Sequence, residues 1–142
     1  MSYNALRHGR HSQLQQIYHI TAVTKNRQPT FTDWAKGRAV VHTLIKLSEE
    51  DRAHTLCYVV MPDHLHWLME LNSGTLAEVM QLLKGRSARE LNSQLWQPGF
   101  HDHALRKEED VISLARYIVT NPLRAGLVRN VADYPLWDAI WL

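Results

Sequence analysis

The chain is poor in cysteine, in long apolar runs and in charge of one sign. Its single cysteine, Cys57, excludes an internal disulfide and a cysteine-built zinc site. Cys57 lies in the apolar run Leu56-Cys57-Tyr58-Val59-Val60, where a small buried thiol is the ordinary reading, and a reducing compartment fits it. No segment approaches the roughly 20 apolar residues of a membrane span, and residues 1–12 lack the apolar centre of a signal peptide. A soluble, cytoplasmic protein is expected. The formal net charge is only +2 with the nine histidines counted as neutral, which by itself points to no nucleic-acid partner. Repeats, low-complexity tracts and linkers are also missing. The 142 residues read as one domain, 1–142, long enough for a core without disulfides.

What charge there is occurs in clusters. Arg7, His8, Arg10 and His11 sit in a polar, basic stretch, 1–13, expected to be a loose arm. Lys25 and Arg27 follow a first strand, and Lys84, Arg86 and Arg89 share a helix. Such local patches can bind phosphates without a large net charge, although any one of these side chains would serve equally as solvated surface.

The apolar periodicity divides the chain. Residues 16–24 alternate and are rich in β-formers, so a strand is expected there. Thr32 or Asp33 can cap a helix to about Glu50, with Val40, Val41, Leu44, Ile45 and Leu47 at helical spacing. A second strand, Leu56 to Met61, is broken by Pro62-Asp63, and a third, His64 to Leu71, can pair with it as a hairpin. Thr75 and Glu78 form a capping-box pattern ahead of a second helix. Phe100 to Arg106 reads as a fourth strand, and Glu108, Glu109 and Asp110 favour the start of a helix running to about Thr120. Asn121-Pro122 restarts or kinks that helix, and Gly126 ends the next turn. The order β-α-β-β-α-β, then a helix, predicts an α+β, ferredoxin-like fold. It is an antiparallel sheet with helices on one face and an additional C-terminal helix carrying Tyr117.

Two segments carry candidate chemistry. In Asp63-His64-Leu65-His66-Trp67, side chains two apart on a strand share a face, so His64 and His66 present adjacent imidazoles, a metal-binding pair. In Tyr117-Ile118-Val119-Thr120-Asn121, the four-residue spacing puts Tyr117 and Asn121 on one helical face. Taken singly, a helical tyrosine is ordinarily a packing residue, and an asparagine before proline a turn former. Together the four supply a nucleophile, a neutral oxygen ligand and two nitrogen ligands.

Here the sequence resembles the REP-associated tyrosine transposases of the HUH single-strand transposase group (histidine, hydrophobic residue, histidine). The resemblance rests on Pro62-Asp63-His64-Leu65-His66, on Tyr117-Ile118, and on Asn121-Pro122-Leu123-Arg124-Ala125-Gly126-Leu127-Val128. It includes Gly9-Arg10, Arg27-Gln28-Pro29-Thr30-Phe31, Leu83-Lys84-Gly85, Trp96-Gln97, His101-Asp102-His103-Ala104-Leu105-Arg106 and Asp133-Tyr134-Pro135, in family order. Leu123 departs conservatively from the more usual valine. The resemblance implies that His64 and His66 hold a divalent ion, that Asn121 completes its site, and that Tyr117 is the nucleophile. Magnesium prefers oxygen and manganese accepts imidazole readily, so Mg²⁺ or Mn²⁺ is expected.

The implied reaction is cleavage and strand transfer of single-stranded DNA at REP-type hairpins through a 5′-phosphotyrosine intermediate. Arg7, Arg10, Lys25, Arg27, Lys84, Arg86, Arg89 and Arg124 become candidate DNA contacts. Arg124 follows Asn121 by less than one turn and could approach the scissile phosphate or offset the helix dipole. Trp96 is read as core or rim rather than a base-stacking platform. His101 and His103 are read as structural or DNA-facing, and Asp63 as orienting the turn or a histidine. The resemblance implies a nucleoid-associated monomer, with a dimer as the alternative arrangement. The competing functions are a hairpin-binding protein without cleavage, a metal-dependent hydrolytic nuclease, and an RNA-binding ferredoxin-like domain. The last would want exposed aromatics on the sheet, where His64 and His66 stand instead.

Overall fold

In the computed structural model, residues 12–106 and 108–141 are described, without the side chains of Glu108 and Glu109. Arg7 and Arg10 lie outside the described residues. Five strands form one antiparallel sheet: β1 (Ile17–Val23), β2 (Ala53–Met61), β3 (His64–Leu71), β4 (His101–Leu105) and β5 (Trp137–Ala139). Their order across the sheet is β4-β1-β3-β2-β5. The helices are α1 (Trp34–Glu49), α2 (Leu76–Leu91), α3 (Glu108–Val119) and the single-turn α4 (Asn121–Arg124). The expected β-α-β-β-α-β order and its following helix are present. The short β5, for which the sequence had suggested nothing, is added beside β2.

Local signals act where expected. The Asp33 side chain accepts from the Ala35 N–H to start α1, and the Thr75 hydroxyl accepts from the Glu78 N–H to start α2. The Ser12 hydroxyl accepts a 3.0 Å bond from the Leu76 N–H, and the Gln13 N–H donates 2.9 Å to the Tyr18 hydroxyl. The end of the expected arm is therefore tied to the domain.

Strand alternation sorts the sheet into two faces. Tyr18, Ile20 and Ala22 stand opposite Met69, Trp67 and Leu65, all buried under α1 and α2. On the other face, His19 stands opposite Leu68 on one side and His103 on the other, Thr21 opposite His66, and Val59 opposite His66 from β2. Helix α3 covers part of this second face. Its buried residues Val111, Ala115 and Ile118 recur at helical spacing, and Leu114 and Asp110 line a groove with His19 and His103. Among the described residues, no helix is long and apolar enough to cross a membrane.

β5 exists because β2 needs a partner on its outer edge. The Val60 N–H donates 2.9 Å to the Leu136 carbonyl, and the Val60 carbonyl accepts 2.6 Å from the buried Tyr134 hydroxyl. Tyr134→Phe should leave that carbonyl unpaired, at a cost of about 1–3 kcal/mol. Urea unfolding monitored by circular dichroism measures it, and an unchanged midpoint would show that water replaces the hydroxyl.

Candidate active site

The two-residue turn Pro62-Asp63 between β2 and β3 starts β3 at His64. His64 and His66 consequently share the face under α3, while Leu65 and Trp67 point into the core. The two rings stand edge to face with centroids 4.9 Å apart. Each is held through its Nδ1. His64 Nδ1 is 2.7 Å from Asp63 Oδ1, the histidine-orienting placement the sequence suggested for Asp63. Asp63 Oδ2 in turn accepts a 3.2 Å bond from Arg27. His66 Nδ1 lies 3.0 Å from His19 Nε2 and 3.3 Å from the Thr21 hydroxyl.

The electrostatics favour neutral imidazole at His66. Burial, then His64, His19 and Arg124, push it down to about 3. Burial, then His103, lowers His19 as well. Burial opposes the Asp63 carboxylate, but His64 and Arg27 outweigh it and hold its carboxyl below the usual range. Cys57 shares this sheet face but is fully buried, and burial pushes its thiol up to about 12, which removes it as a nucleophile.

Tyr117 is 54% exposed on the last turn of α3. The Arg124 guanidinium stacks over its ring, 3.9 Å from the centroid. Arg124 also donates to the Tyr117 carbonyl and to the Thr120 hydroxyl. Both readings of this arginine therefore meet in one placement. It satisfies the end of α3, and its charge reaches His66.

Tyr117 and Asn121 do not lie on one continuous helix. Thr120, at φ −89° and ψ 2°, separates α3 from α4, so the two residues belong to different helices. Pro122 is the cause: it has no N–H to continue the ladder to the carbonyl four residues back. Asn121 is half-buried as the first residue of α4.

The predicted basic residues fall into two groups. Lys25, which donates to Gln94, and Arg27 lie on the turn after β1, at the Asp63 end of the sheet. Lys84, Arg86 and Arg89 lie on α2, across the sheet from the histidines. Lys84 donates to the carbonyls of Gln97 and Gly99 and fixes that loop, and burial lowers its ammonium. Arg86 pairs with Glu50 at 2.8 Å, and Arg89 is exposed. Trp96 packs against Phe31 and donates 2.9 Å to the Ser87 hydroxyl, a core-rim role. His101 and His103 are exposed on β4, on the same face as His19.

His19 is a site residue that the sequence alone does not reveal. Its parity on β1 was readable, but the contact with His66 depends on β1 lying beside β3, which no local pattern encodes.

These residues fit a divalent ion in donor chemistry. Two neutral-capable imidazoles face one another, each with its Nδ1 already engaged, which leaves both Nε2 atoms to bind. Among the described residues, no three His, Cys, Asp or Glu side chains converge as a metal site.

The chain is similar to known proteins in sequence and in fold. An Escherichia coli REP-associated tyrosine transposase is 28% identical over 97 residues, covering 66% of this chain and 59% of its own length. The match thus spans less than two thirds of that relative. A Haemophilus influenzae protein of the same description is 27% identical over 137 residues, covering 84% of this chain and 77% of its own. A solved structure of a REP-associated tyrosine transposase bound to a REP hairpin shares the fold. Its TM-score is 0.77 at 24% identity, over 90% of this chain and 79% of that one. The family model described as "Transposase IS200 like" matches residues 12–121, a stretch that takes in the sheet histidines and the tyrosine helix, and the chain belongs to that family.

Proposed function

We propose that this protein cleaves and rejoins single-stranded DNA at REP-type hairpins through Tyr117. The observation that carries the reading is the histidine pair with both Nδ1 atoms engaged, on the sheet face partly covered by α3, the helix that bears the exposed Tyr117. His64 and His66, completed by Asn121, would hold Mg²⁺ or Mn²⁺. Bound there, the ion supplies Lewis-acid polarisation of the scissile phosphate.

The chain's own residues do the rest. The Tyr117 oxygen attacks phosphorus, and the bond from phosphorus to the 3′-oxygen breaks. The phenol proton leaves to water, and the departing 3′-oxygen takes up a proton. The products are a 5′-phosphotyrosine and a free 3′-hydroxyl. Because the phosphotyrosine conserves the bond energy, another 3′-hydroxyl can reverse the step. Arg124, stacked on the ring, limits the positions that ring can occupy and brings positive charge towards the reacting phosphate. Arg27, bonded to Asp63 beside His64, and Lys25 on the same turn are candidates for holding the DNA backbone. Arg7 and Arg10 would add contacts from the N-terminal stretch. Lys84, Arg86 and Arg89 would engage only DNA that passes to the other side of the sheet. Such a protein would work as a monomer beside the nucleoid.

The test is incubation with a labelled single-stranded hairpin and Mn²⁺, followed by a denaturing gel. A covalent protein–DNA adduct is the expected result. Cut DNA without an adduct would indicate hydrolysis. A native-gel shift with neither would indicate a binding protein. Either of these would overturn the proposal.

A further inference from the structure

We infer that His19 is a positioning residue that fixes His66 in the tautomer needed to bind the cation. The inference rests on the reading of His64 and His66 as the ligands. Each imidazole can offer a cation only one lone pair, and the proton must sit on the other nitrogen. For His64 the arrangement is self-evident. Its Nδ1 lies 2.7 Å from the Asp63 carboxylate, which can only accept, so the proton is on Nδ1 and Nε2 is the free donor.

His66 has no carboxylate. Its Nδ1 faces His19 Nε2 at 3.0 Å and the Thr21 hydroxyl at 3.3 Å, and both groups can donate or accept. If either donated, His66 would carry its proton on Nε2 and could not bind a cation there. Ligand duty therefore requires His19 to accept through Nε2 and to keep its own proton on Nδ1. The rings, 5.1 Å apart and tilted by 31°, are placed by neighbouring strands in register, Thr21 opposite His66. The backbone thus aligns the pair before any ion arrives. The two ligands are oriented by different means: a charged acceptor behind His64, itself held by Arg27, and a neutral one behind His66.

Two substitutions test this. His19→Gln keeps an amide oxygen that can reach the Nε2 position. His19→Phe keeps a ring and removes the acceptor. The first readout is Mn²⁺ affinity, with the metal alone as probe, from electron paramagnetic resonance of the free ion. The second is the His66 tautomer in the metal-free protein, from long-range ¹H–¹⁵N correlations. H19F should weaken Mn²⁺ binding by about 10- to 100-fold, the usual effect of losing an outer partner, and shift His66 towards the Nε2–H form. H19Q should stay within about threefold of wild type, because the acceptor is retained. The His19 role alone is overturned by unchanged affinity in H19F, by equal losses in H19F and H19Q, or by a wild-type His66 protonated on Nε2. Failure of the wild-type protein to bind Mn²⁺ would instead overturn the metal reading, and this inference with it.

Discussion

Tyr117→Phe is expected to abolish the covalent adduct while leaving hairpin binding intact. The substitution removes one oxygen from a ring that is 54% exposed, so no core contact is lost. No hydrogen bond of the Tyr117 hydroxyl is among those described, and the Arg124 stack uses the ring face, which phenylalanine keeps. Stability should change by less than about 0.5 kcal/mol, as for other surface substitutions. The catalytic effect should be of another order. A phenyl ring cannot attack phosphorus, and nucleophile removal in enzymes of this kind of covalent chemistry costs on the order of 10⁴-fold or more. Adduct formation should fall below detection with Mn²⁺ or Mg²⁺ present. The dissociation constant for a single-stranded hairpin should stay within about twofold, since affinity is carried mainly by phosphate contacts from basic side chains. An adduct that persists in the variant would remove Tyr117 from its role. A hairpin affinity lost together with the adduct would make the tyrosine a binding residue.

The sheet was legible wherever a local signal set it. Pro62-Asp63 ends one strand and begins the next, so the parity that brings His64 and His66 together could be read from five residues. Thr75 and Asp33 start their helices by the capping chemistry their side chains dictate. Two features were not legible, each for a physical reason. β5 is three residues long and shows no alternation; it forms because the outer edge of β2 offers unpaired backbone groups at Cys57 to Val60. His19 becomes meaningful only through the register of β1 on β3, a tertiary fact. Charge was the least legible property. Lys84, Arg86 and Arg27 all look like free phosphate contacts in the sequence, but in the fold they engage loop carbonyls, Glu50 and Asp63 respectively.

The alternation along β3 makes a sharper prediction, because two adjacent residues should fail in opposite ways. Trp67 is fully buried on the face under α1 and α2, and its indole N–H donates 2.9 Å to the Thr55 hydroxyl. Trp67→Ala removes a large apolar volume that its neighbours cannot refill and leaves the hydroxyl without that partner. The expected loss is about 3–5 kcal/mol, a large share of the roughly 5–15 kcal/mol that holds such a domain together. His66 faces the other way, half-buried among His19, Thr21 and His64. His66→Ala leaves the core untouched and removes the ring's contacts to His19 and the Thr21 hydroxyl, so the loss should be about 1–3 kcal/mol. It also removes one of two nitrogen donors and opens the space beside His64. Mn²⁺ binding should weaken by at least about 100-fold, and adduct formation should fall with it, because losing a ligand costs more than losing the outer partner of one. Urea unfolding separates the two variants on one axis, and Mn²⁺ titration separates them on the other. Trp67→Ala should keep the cation affinity of its folded fraction, and an osmolyte that favours the folded state should raise its binding, whereas the same osmolyte should restore none to His66→Ala. If His66→Ala proved as unstable as Trp67→Ala, or kept its Mn²⁺ affinity, the histidine would belong to the packing of the sheet and the metal would have to be held elsewhere.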